Sequence, residues 1–189
     1  KDAKIFSKAI LHNADRLSEM VTSLIDLSRI EYGELKFVIE RIDLNDLIET
    51  IVLSHKNKAK KKSIQVLFER QPDVIIHSDA KAIERVLNNL IDNAFKYSPE
   101  NSIIEIKLNK QGEFIRLAVM DQGEGIAEDE QDLVFKRFFR TATARANTQQ
   151  GSGLGLAIVK NLVYNLQGDV GVKSISNGGS EFWFTIPIN

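Results

Sequence analysis

Apolar positions recur along the chain in two rhythms. Near the start, Phe6, Ile10, Asn13, Leu17, Met20, Leu24 and Leu27 follow a spacing of 4, 3, 4, 3, 4, 3. That is a heptad seam with one polar layer at Asn13, and it predicts one long helix. A lone amphipathic helix cannot hide such a stripe, so partner helices are expected to cover it. His12 lies about 200° around the helix from Ile10 and is expected on the solvated side. The "EYG" at Glu31 to Gly33 is the expected stop.

A shorter rhythm follows. "LKFVIERID", "SIQVLF", "DVIIHS", "SIIEIKLN", "GEFIRLAVMD", "GDVGVKSIS" and "GSEFWFTIPI" read as strands. Helical stretches interleave with them. "LNDLIETIVLSHKNKAKKK" reads as one helix, its lysine run from Lys56 to Lys62 a solvated end favoured by the helix dipole. "DAKAIERVLNNLIDNAFKYS" is the next, with Asp79 as N-cap and Pro99 just past its end. "LGLAIVKNLVYNLQG" is the third, stopped by Gly168. The interleaving predicts a mixed sheet covered on one face by helices, a two-layer α/β sandwich, preceded by the coiled-coil-like helix.

Composition narrows the picture mainly by exclusion. With 189 residues, 43% hydrophobic and 27% charged, the chain suits one soluble domain and a small appendage. A net charge of −1 argues against nucleic-acid binding by bulk electrostatics. No apolar run approaches ~18 residues, so direct membrane contact is not expected. Absence of Cys excludes disulfides and thiolate metal sites, and His12, His55 and His77 are scattered. The chain begins with Lys, so it is expected to be part of something longer.

Three places carry candidate chemistry. On the second helix, Ile83, Val86, Leu87, Leu90, Ile91 and Ala94 define a buried face. Asn89, Asn93 and Lys96 cluster opposite, where ordinary surface polarity and a polar ligand wall both fit. Amide oxygens are hard ligands that suit Mg²⁺, and a lysine suits phosphate. In "FIRLAVMD", Ile115, Leu117, Val119 and Asp121 share one strand face, so Asp121 should end the strand pointing into the sheet–helix interface. A buried carboxylate needs donors, either backbone N–H groups of "GEGI" or the amino group of a base such as adenine. Gly123 and Gly125 would let backbone approach that base closely.

Gly151, Gly153 and Gly155 in "GSGLGLAIV" stand at the mouth of the third helix, where N–H groups and dipole favour phosphate. The G-x-G-x-G spacing is neither the dinucleotide fingerprint nor a Walker A loop. The long segment before it, including the low-complexity run Thr141 to Gly153, reads as a lid carrying Arg137, Arg140 and Arg145.

With these residues in hand, "NNLIDNAFKYS" resembles the N box of sensor histidine kinases, "DQGEGI" the G1 box, "FKRFF" the F box and "GSGLGLAIV" the G2 box. "NADRLSEMVTSLIDLSRIEYGEL" resembles the second helix of their dimerisation and histidine-phosphotransfer domain. The resemblance implies the Bergerat-type ATP-binding sandwich shared with gyrase and MutL-type repair proteins, with that helix at residues 1–34 and the sandwich at 35–189. It implies ATP and Mg²⁺ as ligands. Asn93 would hold Mg²⁺, with Asn89 near the phosphates; Lys96 would touch phosphate and Tyr97 border the adenine. Asp121 would accept from the adenine amino group beside Gly123, Gly125 and Ile126. Phe138, Phe139 and Arg140 would flank the nucleotide, and Gly151, Ser152, Gly153, Leu154, Gly155 and Leu156 would wrap the phosphates.

The implied reaction moves the γ-phosphoryl of ATP to a histidine, for relay to a response-regulator receiver domain. The implied parent is a homodimer, a membrane-anchored protein with this part in the cytoplasm. The family's phosphoacceptor box, His-Glu/Asp-x-x-x-Pro, does not occur in this sequence, so the acceptor is expected upstream of Lys1. No acid or base catalyst is identified. An ATP hydrolase or an inactive nucleotide-binding module of the same superfold is the alternative. Hydrolases of this type carry a glutamate base where this chain has Asn89, and an amide cannot take a proton from water.

Overall fold

The computed structural model describes residues 2–147, 151–175 and 178–188. Residues 148–150 of the expected lid lie outside the described residues, as do the side chains of Phe6 and His12.

The heptad stretch is a single helix, α1 (Asp2–Glu31). It ends at Gly33, where Glu34 N–H donates to Arg29 O and Gly33 N–H to Ile30 O, so the last carbonyls are satisfied. The seam divides in two. Leu17 is 62% exposed and Leu24 45%, while Leu27 is 0% and Ile30 2% exposed. Among the α1 residues whose side chains are described, the fully buried ones lie in the last two turns.

The segment predicted as one strand from Leu35 is irregular until β1 (Glu40–Asp43). Leu35 and Phe37 pack against the core while Val38 and Ile39 are exposed, and no strand pairs with this stretch before Glu40. Next come α2 (Leu44–Ser54) and α3 (Lys56–Lys62), separated at His55, where the sequence reads as one helix. β2 (Gln65–Phe68) and β3 (Ile75–Ser78) follow, β3 pairing antiparallel with β1 as a small separate ribbon.

The helix α4 (Ala80–Tyr97) starts where expected: Asp79 Oδ1 accepts from Ala82 N–H at 2.8 Å, while its Oδ2 takes Val38 N–H at 2.6 Å. Then come β4 (Ile103–Gln111), β5 (Phe114–Met120), the short α5 (Glu128–Gln131) and α6 (Ala142–Asn147), then α7 (Gly155–Asn165), β6 (Val170–Ser174) and β7 (Ser180–Pro187).

The main sheet runs β2-β4-β5-β7-β6, with β2 parallel to β4 and the other neighbours antiparallel. Register places Leu108 opposite Leu117, Leu117 opposite Phe184, and Val119 opposite Phe182, so one face is continuously apolar. Against it lie Ile83, Leu87, Leu90 and Ile91 of α4 and Ile158 and Leu162 of α7. This is the expected two-layer sandwich of mixed sheet and helices.

Candidate nucleotide-binding site

The outer face of α4 does not meet open water. It forms one wall of a cleft of about 800 Å³, within the range of small-molecule sites. The lining gathers Asn89, Asn93, Lys96 and Tyr97 from α4, and Asp121, Gly123, Gly125 and Ile126 from beyond β5. Phe139 and Arg140 come from the segment before α6, and Gly151, Ser152, Gly153, Gly155 and Leu156 from the start of α7. Of the residues singled out by sequence, Arg137, Phe138, Arg145 and Leu154 lie outside this lining. Leu154 is fully buried in the core, and Phe138 is exposed with φ of +60°, its N–H bonded to Gly153 O at 2.9 Å. That bond ties "FKRFF" to the glycine-rich turn.

At one end stands Asp121, 6% exposed. Its Oδ1 accepts Gly123 N–H at 2.7 Å and Ser180 N–H at 3.3 Å. Among the described residues no bond ends on Oδ2. The turn-aspartate and ligand-reading alternatives therefore coexist: one oxygen fixes the backbone and the other is left for what enters the cleft. Burial pushes the Asp121 carboxyl above the ordinary carboxylate range, with the two amides pulling the other way. The packing behind it is tight. Gly179 has φ of +99°, and a Cβ there would sit 2.0 Å from Asp121 O. Burial raises the Tyr97 phenol, opposed by the Arg140 charge, and Lys96 Nζ lies 5.0 Å from the Tyr97 ring centre.

The other end is built on side-chain oxygen. Asn89 Nδ2 donates to Arg85 O at 2.8 Å, which fixes the amide and leaves Oδ1 toward the mouth of α7. A Cβ on Gly155 would come within 2.7 Å of that oxygen. Among the described residues no cluster of three or more His, Cys, Asp or Glu could hold a metal. A cation here would lean on amide oxygen and on the ligand's own phosphates. That suits Mg²⁺, which keeps much of its hydration and binds beside phosphate rather than in a protein cage.

The described part of the lid contains a short helix, α6. Ala144 is buried within it, its carbonyl accepting Arg140 Nη2 at 2.5 Å. Arg145 Nε donates to Arg140 O at 3.0 Å, so it is turned to the lid's own backbone.

Sequence reasoning missed several lining residues. Met20 and Ser23 of α1 reach the cleft, as do Lys58 and Lys62 of α3, and Asp92 and Glu124. α1 is held there by Arg85 Nη2 to Asp26 Oδ2 at 2.5 Å and by an Arg137–Glu31 ion pair. Ser180, whose N–H steadies Asp121, lies 59 residues away in sequence, beyond any local signal.

Comparison with known proteins agrees with this geometry. Residues 78–189 match the family model described as histidine kinase-, DNA gyrase B-, and HSP90-like ATPase. The sensor-like histidine kinase SenX3 of Mycobacterium tuberculosis is 36% identical over 182 residues, covering 96% of this chain and 44% of that protein. The chain thus spans less than half the length of this curated relative. Full-length ShkA, solved in complex with AMPPNP, superposes with a TM-score of 0.84 at 25% identity, over 99% of this chain and 39% of that one. ThkA, solved with the response regulator protein TrrA, gives 0.80 at 26% identity, over 99% of this chain and 52% of that one. The chain belongs to the histidine kinase-, DNA gyrase B-, and HSP90-like ATPase family, and the relatives it resembles are sensor histidine kinases.

Proposed function

We propose that the chain is the catalytic portion of an ATP-dependent protein histidine kinase, with residues 1–34 as the second helix of a dimerisation and phosphotransfer domain and 35–189 as the ATP-binding domain. The observation that carries the reading is the division of the cleft. A buried carboxylate with one uncommitted oxygen stands at one end, and amide oxygen facing a glycine-rich helix mouth stands at the other.

In this reading Asp121 accepts from the adenine amino group through Oδ2, while Oδ1 stays on Gly123 and Ser180. Gly123, Gly125 and Ile126 lie along the base, bordered by Tyr97. Asn93, supported by Asn89, presents amide oxygen to Mg²⁺, which supplies charge neutralisation at the phosphates when bound. Lys96, Arg140 and the turn from Gly151 to Gly155 hold the phosphate chain. As the acceptor imidazole attacks, the bond between the γ-phosphorus and the ADP oxygen breaks and a phosphorus–nitrogen bond forms. The chain positions and stabilises charge and supplies no base. Asn89 supports transfer over hydrolysis, because its amide cannot deprotonate water.

The acceptor histidine is assigned to a helix preceding this chain, which pairs with α1 in a homodimeric bundle. The phosphoryl group then passes to a response-regulator receiver. The ThkA complex with a response regulator supports that choice of partner. Among the described residues no helix is long and apolar enough to cross a membrane.

The test is calorimetry with Mg²⁺ and ATP or GTP, then radiolabelled ATP with the chain alone and with the upstream segment added. Preference for ATP and acid-labile label on the added segment only are expected. Equal affinity for ATP and GTP would remove the adenine role, and label on this chain alone would overturn the assignment of the acceptor.

A further inference from the structure

The lysine run on α3 reads in the sequence as a solvated helix end. The break at His55 changes that. Of the five lysines of α3, Lys58 and Lys62 stand four residues apart, on one side of the helix, and both line the nucleotide cleft. Lys62 is committed to the fold, since its Nζ donates to Phe95 O at 2.6 Å and satisfies a carbonyl near the end of α4. Lys58 is different. Its Nζ pairs with Asp92 Oδ1 and lies 5.1 Å from the centre of the Phe95 ring. Asp92 is the residue before Asn93 and three after Asn89, at the phosphate end of the cleft rather than the Asp121 end.

We propose that Lys58 is a further phosphate-recognition residue, which leaves Asp92 for the terminal phosphate of bound ATP and so distinguishes ATP from ADP. The proposal rests on the nucleotide reading of the cleft. The side chains of Lys58 and Asp92 are 44% and 55% exposed, so the pair is solvated and weak. A polyphosphate carries several charges and enters a cleft with less water, where the same ammonium is attracted more strongly. The ammonium already lies over the Phe95 ring, which attracts it weakly, so it exchanges partners without leaving the cleft wall. His55 supports the arrangement, with Nε2 2.8 Å from Asn88 Oδ1 and its ring 5.6 Å from Phe95, centre to centre. It ties the start of α3 to α4.

The experiment measures ATP and ADP binding by calorimetry, with Mg²⁺ and at two salt concentrations, for the wild-type chain, Lys58→Ala, Asp92→Asn and the double variant. Lys58→Ala is expected to weaken ATP about tenfold, with ADP changed less than about twofold and a shallower salt dependence for ATP. Asp92→Asn should strengthen ATP, and in the Lys58→Ala background that gain should vanish, the mark of a shared partner. An unchanged ATP-to-ADP ratio in Lys58→Ala, or a gain from Asp92→Asn that survives without Lys58, would overturn the proposal while leaving the nucleotide site intact. Absence of nucleotide binding by the wild-type chain would overturn the nucleotide reading and this proposal together.

Discussion

The two walls of the cleft are built by different physics. One wall is the end of β5 and the outer face of α4. Asp121 is buried and fixed by amides from both sides of the turn, and Asn89 is oriented by a bond to its own helix. Both elements rest on the main core, so their side chains have little freedom to trade partners. The other wall is assembled from α1, α3 and the lid. It is held by ion pairs: Asp26 with Arg85, Glu31 with Arg137, and Asp92 with Lys58. Of these the Asp92–Lys58 pair is exposed on both sides, and such a pair is worth little in water and breaks readily. The fixed wall can choose a ligand, and the paired wall can move when the ligand arrives.

The contrast is broken most severely by Asn93→Ala. Removing the proposed metal-holding amide should cost Mg²⁺-dependent ATP affinity about a hundredfold, on the scale of several kcal/mol for charge stabilisation by a metal. Calorimetry with and without Mg²⁺ checks it, and an intact Mg²⁺ dependence would remove Asn93 from the site. Asp121→Asn is the next largest. Asparagine keeps an Oδ1 for Gly123 and Ser180, so the fold should persist, but the second acceptor is lost. A hydrogen bond to a charged group is worth about 1.5–3 kcal/mol, so ATP should weaken by about tenfold or more and discrimination against GTP should shrink.

A smaller, graded effect should appear with pH. Burial raises the Asp121 pKa, and the ionised form is the acceptor. ATP affinity should therefore be full above the raised value and fall as pH drops through it, earlier on acidification than an exposed aspartate would allow. The same sign means that the empty fold carries a buried charge above that value and is relieved of it on protonation, so this group does not cause acid unfolding. Asp121→Asn should flatten this part of the binding profile, and a wild-type profile already flat across the range would contradict the role.

The smallest effect belongs to the paired wall. Arg137→Ala should change global stability by no more than about 1 kcal/mol. Yet it should raise hydrogen exchange in the last turns of α1, where Leu27 and Ile30 dock. Unaltered exchange there would show that apolar packing alone holds the helix.

Much of the fixed wall was legible in the sequence because its signals are local. The alternation of Ile115, Leu117 and Val119 carries Asp121 to the buried face, and the α4 periodicity separates core from cleft. The paired wall was not. His55 breaks a helix without Gly or Pro, at a position where its ring packs on Phe95 and its Nε2 meets Asn88. Those partners are more than thirty residues away, so no local rule announces the interruption or the contact of Lys58 with α4. The heptad stripe correctly predicted α1, but gave no sign that its C-terminal part packs beside α7 and pairs with Arg85 of α4 while Leu17 and Leu24 stay exposed. The strand expected from residue 35 forms only at Glu40–Asp43, because Leu35 and Phe37 pack on the core but only β1 finds a partner strand, in β3.

The anchoring of α1 at one end also has a mechanical side. A helix of its length is about 45 Å long. Its seat at Leu27 and Ile30 lies in the last two turns, so nearly the whole helix is a lever arm. A tilt of about 5° at that seat swings the far end by about 3–4 Å, more than half the roughly 5–6 Å between neighbouring side chains on a helix surface. Conversely, a shift of one side-chain step at the far end turns the seat by under 10°, small enough for Leu27 to stay packed while Met20 and Ser23 move against the cleft. The helix is geared: large travel at its distant end becomes fine adjustment beside the proposed nucleotide.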